Sequence, residues 1–177
     1  MKKNTKTFFS LLLIIPAFLI ASCKKEETKT EDLATTKKGW VTGTWKQKDL
    51  VLAYPIPNPF GGPDFPVGYS LYNLAPYLPI TGPGITCSAD NIYAFDSTGN
   101  FTITGCTELI LPDAGNSGKW NLQVYGSALH LVSTDNKDTP LWINNINSTD
   151  MKLGSLSFTI HFAEFGADIP VYILLEK

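Results

Sequence analysis

Apolar and polar residues alternate without a break near the C-terminus: Leu156, Phe158, Ile160 and Phe162 share one face of an extended chain, with Ser157, Thr159 and His161 on the other. A period of two belongs to a strand with one face on a core. The same grammar runs through the chain from Trp40 to Lys177, where short apolar runs are broken by Gly, Asn, Asp and Pro and none keeps a helical period for three turns. The runs predict strands over 43–54, 91–95, 101–104, 119–124, 128–133, 141–146, 151–153, 155–162 and 171–176. Turn chemistry connects them in sequence: Asp96-Ser97-Thr98-Gly99-Asn100 makes one hairpin, the stretch from Val124 to Ala128 a second, and 134–140 a third. The expected fold is therefore all-β, an antiparallel meander of about eight strands that avoids open edges by closing into a barrel.

The first 22 residues read differently. Lys2, Lys3 and Lys6 precede an apolar run from Phe8 to Ile20, followed by the small residues Ala21 and Ser22. Pro16 interrupts this run, which is too short for a spanning helix of roughly 20 residues, so 1–22 is expected to be a secretory signal. Ile20-Ala21-Ser22-Cys23 resembles the lipobox of bacterial lipoproteins. That resemblance implies cleavage before Cys23, acylation of its sulfur and attachment to a membrane. The polar stretch that follows, with Lys24-Lys25-Glu26-Glu27 at its start, has no aromatic residue before Trp40, and 23–39 is expected to be a flexible tether. Its charged start resembles the export signal of Bacteroidetes lipoproteins displayed outward at the outer membrane; a periplasm-facing anchor is the alternative.

Charge excludes one class of partner. After residue 22 the chain carries eleven lysines against sixteen acids, and it contains no arginine. Phosphate backbones are gripped by cationic surfaces, arginine above all, so no nucleic-acid partner is expected.

With Cys23 lipidated, Cys87 and Cys106 remain in an oxidising compartment. If Phe95 pairs with Phe101 across the first hairpin, the two cysteines fall within three residues of facing one another, and a bulge or strand exit would let them bond. A disulfide there would add about 3 kcal/mol on the chain-entropy model. Two free thiols or a redox pair are the other readings, although no CxxC spacing is present.

Gly43-Thr44-Trp45 is similar to the GxW signature of lipocalins, and the later segments Tyr93-Ala94-Phe95, Gly118-Lys119-Trp120-Asn121-Leu122, Leu129-His130-Leu131, Ile143-Asn144-Asn145-Ile146 and Met151-Lys152-Leu153 occur in the order of Bacteroidetes lipocalin-like lipoproteins. The resemblance covers about 40–177 and implies a lipocalin-like barrel with Trp45 as the plug of its closed end. It also implies a basic residue over that plug, usually arginine, where this chain offers only Lys177. Strand parity raises a further point: if Trp45 faces inward, so do Gln47 and Asp49, while Leu50, Leu52 and Tyr54 face out. A bulge near Lys48 or Asp49 would restore an apolar interior; a polar contact inside a pocket is the other reading.

The least typical segment is the insertion at 55–86, which holds eight of the twelve prolines together with Phe60, Phe65, Tyr69, Tyr72 and Tyr77. Long loops of this kind are lids, binding loops or extra packing layers. One reading is a cover over the barrel mouth; the other is a ligand site lined by Tyr69, Tyr72 and Tyr77. His130 and His161 sit on separate strands, Asp135, Asp138 and Asp150 match no calcium loop, and GxSxG, HExxH and phosphate-loop patterns are missing. The expectation is a lipid-anchored, non-enzymatic barrel without metal or cofactor that binds a small apolar or amphipathic ligand, in the barrel or under the lid. The alternative is an envelope protein with a filled barrel that contacts proteins or glycans.

Overall fold

The structure, a computed structural model, describes residues 27–108 and 110–177. The signal segment 1–22 and Cys23 lie outside the described residues. Helix α1 (Glu27–Val41) leads into β1 (Gly43–Leu52). The lid follows, with α2 (Leu71–Leu74), a 3-10 turn (Ala75–Tyr77) and α3 (Gly82–Ser88). The remaining strands are β2 (Ile92–Phe95), β3 (Asn100–Thr104), β4 (Ser117–Gln123), β5 (Ala128–Ser133), β6 (Asp138–Ile146), β7 (Asp150–Phe162) and β8 (Ala167–Glu176). Each strand pairs antiparallel with the next, and β8 closes on β1 to form an eight-stranded barrel.

The register follows local chemistry. Phe95 faces Phe101 as the hairpin predicts, and Gly99 at φ +87° makes the turn between them. The shift expected in β1 falls between Gln47 and Asp49, where Lys48 is the extra residue. It turns Leu50 and Leu52 inward, both fully buried, while Trp45 and Gln47 stay inside. Two expected strands, 151–153 and 155–162, are one strand, β7. Gly154 between them is no turn: a Cβ there would lie 2.3 Å from the Tyr172 ring, so glycine answers a close cross-strand approach, with the β7–β8 register shifting just beyond it.

Two further expectations need correcting. The tether at 23–39 is helical from Glu27 on, and it does not stand apart: Val41 is fully buried, Trp40 packs on the core, and α1 crosses the β4–β5 turn. Lysines, glutamates and alanine permit the helix, and the two apolar residues at its end dock it. The insertion also carries short helices that no period announced; Pro83 in the first turn of α3 suits a helix start.

The meander divides the barrel into two ends. Turns 96–99, 124–127 and 147–149 lie at the end that α1 covers, together with Lys177. The lid, the 105–116 loop and turns 134–137 and 163–166 lie at the other. Inside, Trp45, Leu50, Leu52, Tyr93, Phe101, Leu129, Ile160, Phe162 and Ile173 are all 0–1% exposed. A void wide enough for water would leave its lining accessible, so the interior beside these residues is filled by the chain itself.

Candidate functional site at the lid end

The lid is fastened to the barrel at three places. The innermost is Gln47, which parity keeps inside. Its amide nitrogen donates to the Tyr72 hydroxyl at 2.8 Å and to Ser88 Oγ at 3.1 Å, and its oxygen accepts from the Tyr93 hydroxyl at 2.7 Å. Tyr72 and Ser88 belong to α2 and α3, so one barrel residue holds both lid helices. Burial pushes the Tyr72 and Tyr93 phenols up from their usual range, which keeps both as neutral hydroxyls. Asn91 ties this cluster to the next fastening, since its side chain accepts from the Cys106 N–H at 2.6 Å and donates to the Cys106 carbonyl at 3.1 Å.

Cys87 and Cys106 form the second fastening, a disulfide with a Cα–Cα distance of 5.7 Å that joins α3 to the β3–β4 loop. The third is Glu164, in the β7–β8 turn. One carboxylate oxygen accepts from the backbone N–H groups of Ile80 at 2.7 Å and Thr81 at 2.8 Å, and the other accepts from the Thr81 hydroxyl at 2.6 Å. Desolvation works against the charge, but these hydrogen bonds outweigh it and bring the carboxyl down to about 2. Asp49, half-buried at the rim, accepts from Ser70 Oγ at 2.8 Å, and desolvation raises its pKa.

Between the start of the lid and the β7–β8 hairpin lies an open groove of about 570 Å³, walled by Ile56, Pro57, Pro59, Phe165, Ile169 and Pro170. Glu164 and Asp168 supply its polar edge. Asp168 is paired with His161 at 2.9 Å. A chain of rings runs away from the groove: Phe162 stacks on Phe165 at 5.6 Å, Phe165 meets Phe60 at 6.4 Å, and Phe60 meets Tyr77 at 6.2 Å. Phe60 and Tyr77 are more than half exposed. The arrangement offers apolar and aromatic surface to a ligand, with polar groups at one edge only.

The three tyrosines singled out in the sequence do different jobs. Tyr69 packs on Phe65 at 4.7 Å, Tyr72 turns its hydroxyl to Gln47, and Tyr77 alone joins the ring chain. Among the described residues, no ring contact joins two of them. Sequence reasoning missed Phe165 and Glu164, which sit in a turn with no motif of its own. At the opposite end Trp45 is fully buried, its indole N–H donates to the Val41 carbonyl at 2.7 Å, and Lys177 lies over its ring. His130 pairs with Asp138 on the surface. Among the described residues no group of three or more His, Cys, Asp or Glu is placed to hold a metal ion, and no helix is long and apolar enough to cross a membrane.

No family model and no curated protein matches the chain. Among solved structures it is similar to a lipocalin-like protein from Bacteroides uniformis, at 11% identity over 78% of this chain and 99% of that one, with a TM-score of 0.38. The fold assignment rests on the strand order itself.

Proposed function

We propose that the chain is a lipid-anchored, lipocalin-like lipoprotein of the bacterial cell envelope, held at the outer membrane through Cys23, and that the groove beside Phe165 takes a small apolar or amphipathic ligand. The groove carries this reading. Its volume lies within the usual range for small-molecule sites, its walls are apolar, and its polar groups are few and confined to one edge. Because the interior is filled beside the described core residues, the ligand is placed outside the barrel wall and beside the lid. Binding rather than catalysis is the role: Glu164 and Asp168, the acids at the groove, are already engaged by Thr81 and His161. The leader and lipobox resemblance support the address.

Two measurements test it. The intact mass of protein extracted from membranes should show residues 1–22 removed and acyl groups added at Cys23. Native mass spectrometry should show a co-purified apolar molecule, lost when Phe165 and Ile56 are both replaced by alanine. A mature protein that carries no ligand and binds none of a panel of fatty acids and lysophospholipids would overturn the ligand assignment. The filled interior favours a second reading, contact with envelope proteins or glycans through the exposed Phe60 and Tyr77. Glycan binding that needs those two rings, with no lipid bound, would establish it instead.

A further inference from the structure

Val124, Tyr125 and Gly126, three consecutive residues of the β4–β5 turn, stand at φ +49°, +55° and +78°. Glycine enters this left-handed region freely, but a bulky aromatic and above all a β-branched residue do not. Asn-Gly would make a tight hairpin turn with less strain. The side chains retained there contribute little to the core: Val124 is 55% exposed and Tyr125 is 72% exposed. A strained backbone that holds two apolar side chains in solvent calls for a contact outside the chain.

The position of the turn says what that contact is. It lies at the end of the barrel that α1 covers, and α1 packs against it so closely that a Cβ on Gly126 would come 3.0 Å from Lys37 Cδ. Cys23 precedes Glu27 by four residues. Four extended residues and the helical stretch from Glu27 to Ala34 together span at most about 25 Å, so an acyl group on Cys23 would bring a bilayer surface within reach of the turn. Lys37 lies against the turn, and Lys38 follows it in the last turn of the helix. Tyrosine partitions to the headgroup boundary, and lysine attracts anionic headgroups while laying its stem on apolar surface.

We propose that Val124 and Tyr125, together with Lys37 and Lys38, form a docking face that seats the barrel on the anionic headgroup region of its anchoring membrane, with the lid end and its groove turned away. The proposal rests on acylation of Cys23. Acyl chains fix the distance from a bilayer but not the orientation; the turn supplies the second constraint.

Hydroxyl-radical footprinting tests it on the lipidated chain in phosphatidylethanolamine–phosphatidylglycerol vesicles, after intact mass has established the lipid. Tyr125 and Tyr77 lie at opposite ends and are 72% and 67% exposed, so they should be labelled alike in a mature Cys23→Ala chain free of lipid and detergent. On vesicles Tyr125 should be labelled severalfold less than Tyr77. Equal labelling on lipidated, vesicle-bound protein overturns the docking face and leaves the anchor standing. A chain without lipid on Cys23 removes the anchor, and the docking face with it. A second variant guards against a purely structural role: Val124→Asn together with Tyr125→Gly should keep or raise the melting temperature. A lower one would mean that the two side chains serve the fold, which also overturns the proposal.

Discussion

The ammonium of Lys177 stands 4.5 Å from the ring centre of Trp45, and the same nitrogen donates to the Trp40 and Thr42 carbonyls at 2.8 and 3.0 Å. The last residue of the chain thus closes the end of the barrel on which α1 rests. Replacing it by methionine keeps much of the stem and removes the charge. The expected loss is about 1–2 kcal/mol, from a cation–π contact and charge-assisted hydrogen bonds at a partly exposed site, measured by denaturant unfolding. Arginine at this position should retain most of the stability.

Gln47 bonds to both lid helices and to the barrel wall. Gln47→Leu should cost about 3 kcal/mol, because the buried Tyr93 hydroxyl and its neighbours lose their partner. Hydrogen exchange should quicken first in α2 and α3 rather than in β5, where no member of the cluster lies. Uniform quickening across the barrel would show that the cluster supports the whole fold and not the lid.

The disulfide closes a separation of 19 residues between α3 and the β3–β4 loop. Cys87→Ser with Cys106→Ser should lower stability by about 3 kcal/mol, since a loop of that length is freed in the unfolded chain. The barrel should persist, with unchanged far-ultraviolet circular dichroism. Loss of the strand signal would show that the bridge is needed for folding itself.

Glu164 predicts an acid response. Its carboxyl falls from the ordinary 4.5 to about 2 in the folded chain. A depressed carboxyl contributes stability that is fully present above about pH 4.5 and is lost as pH falls towards 2. Amide exchange at Ile80 and Thr81, corrected for the intrinsic pH dependence, should therefore rise between those limits. Glu164→Gln should show the loosened lid already at neutral pH. A flat corrected profile, or a variant with parental protection, would mean that the clamp does not hold the lid.

The barrel was largely legible in the sequence because its signals are local. The Gly99 turn set the Phe95–Phe101 register, broken parity after Trp45 located the bulge at Lys48, and the hairpin brought Cys87 near Cys106. The clamp was not legible, because Thr81 and Glu164 are 83 residues apart and neither sits in a motif. The lid helices are too short to show a period. The cluster around Gln47 was half visible: parity put a polar side chain inside, but its partners in α2 and α3 depend on how the lid folds back. Lys177 meets the basic residue that the resemblance implies over the plug, with a lysine where arginine is usual.

β1 is hydrogen-bonded on both sides, to β2 and β8, and it is the strand into which α1 leads. A pull through α1 against a held lid end would load β1 along its own axis. Its bonds to two neighbours would then share the load in shear instead of unzipping one at a time. The hydrogen bonds of α1 run along its own axis and would open one at a time under such a pull, so the helix would lengthen under tension before the barrel gives way.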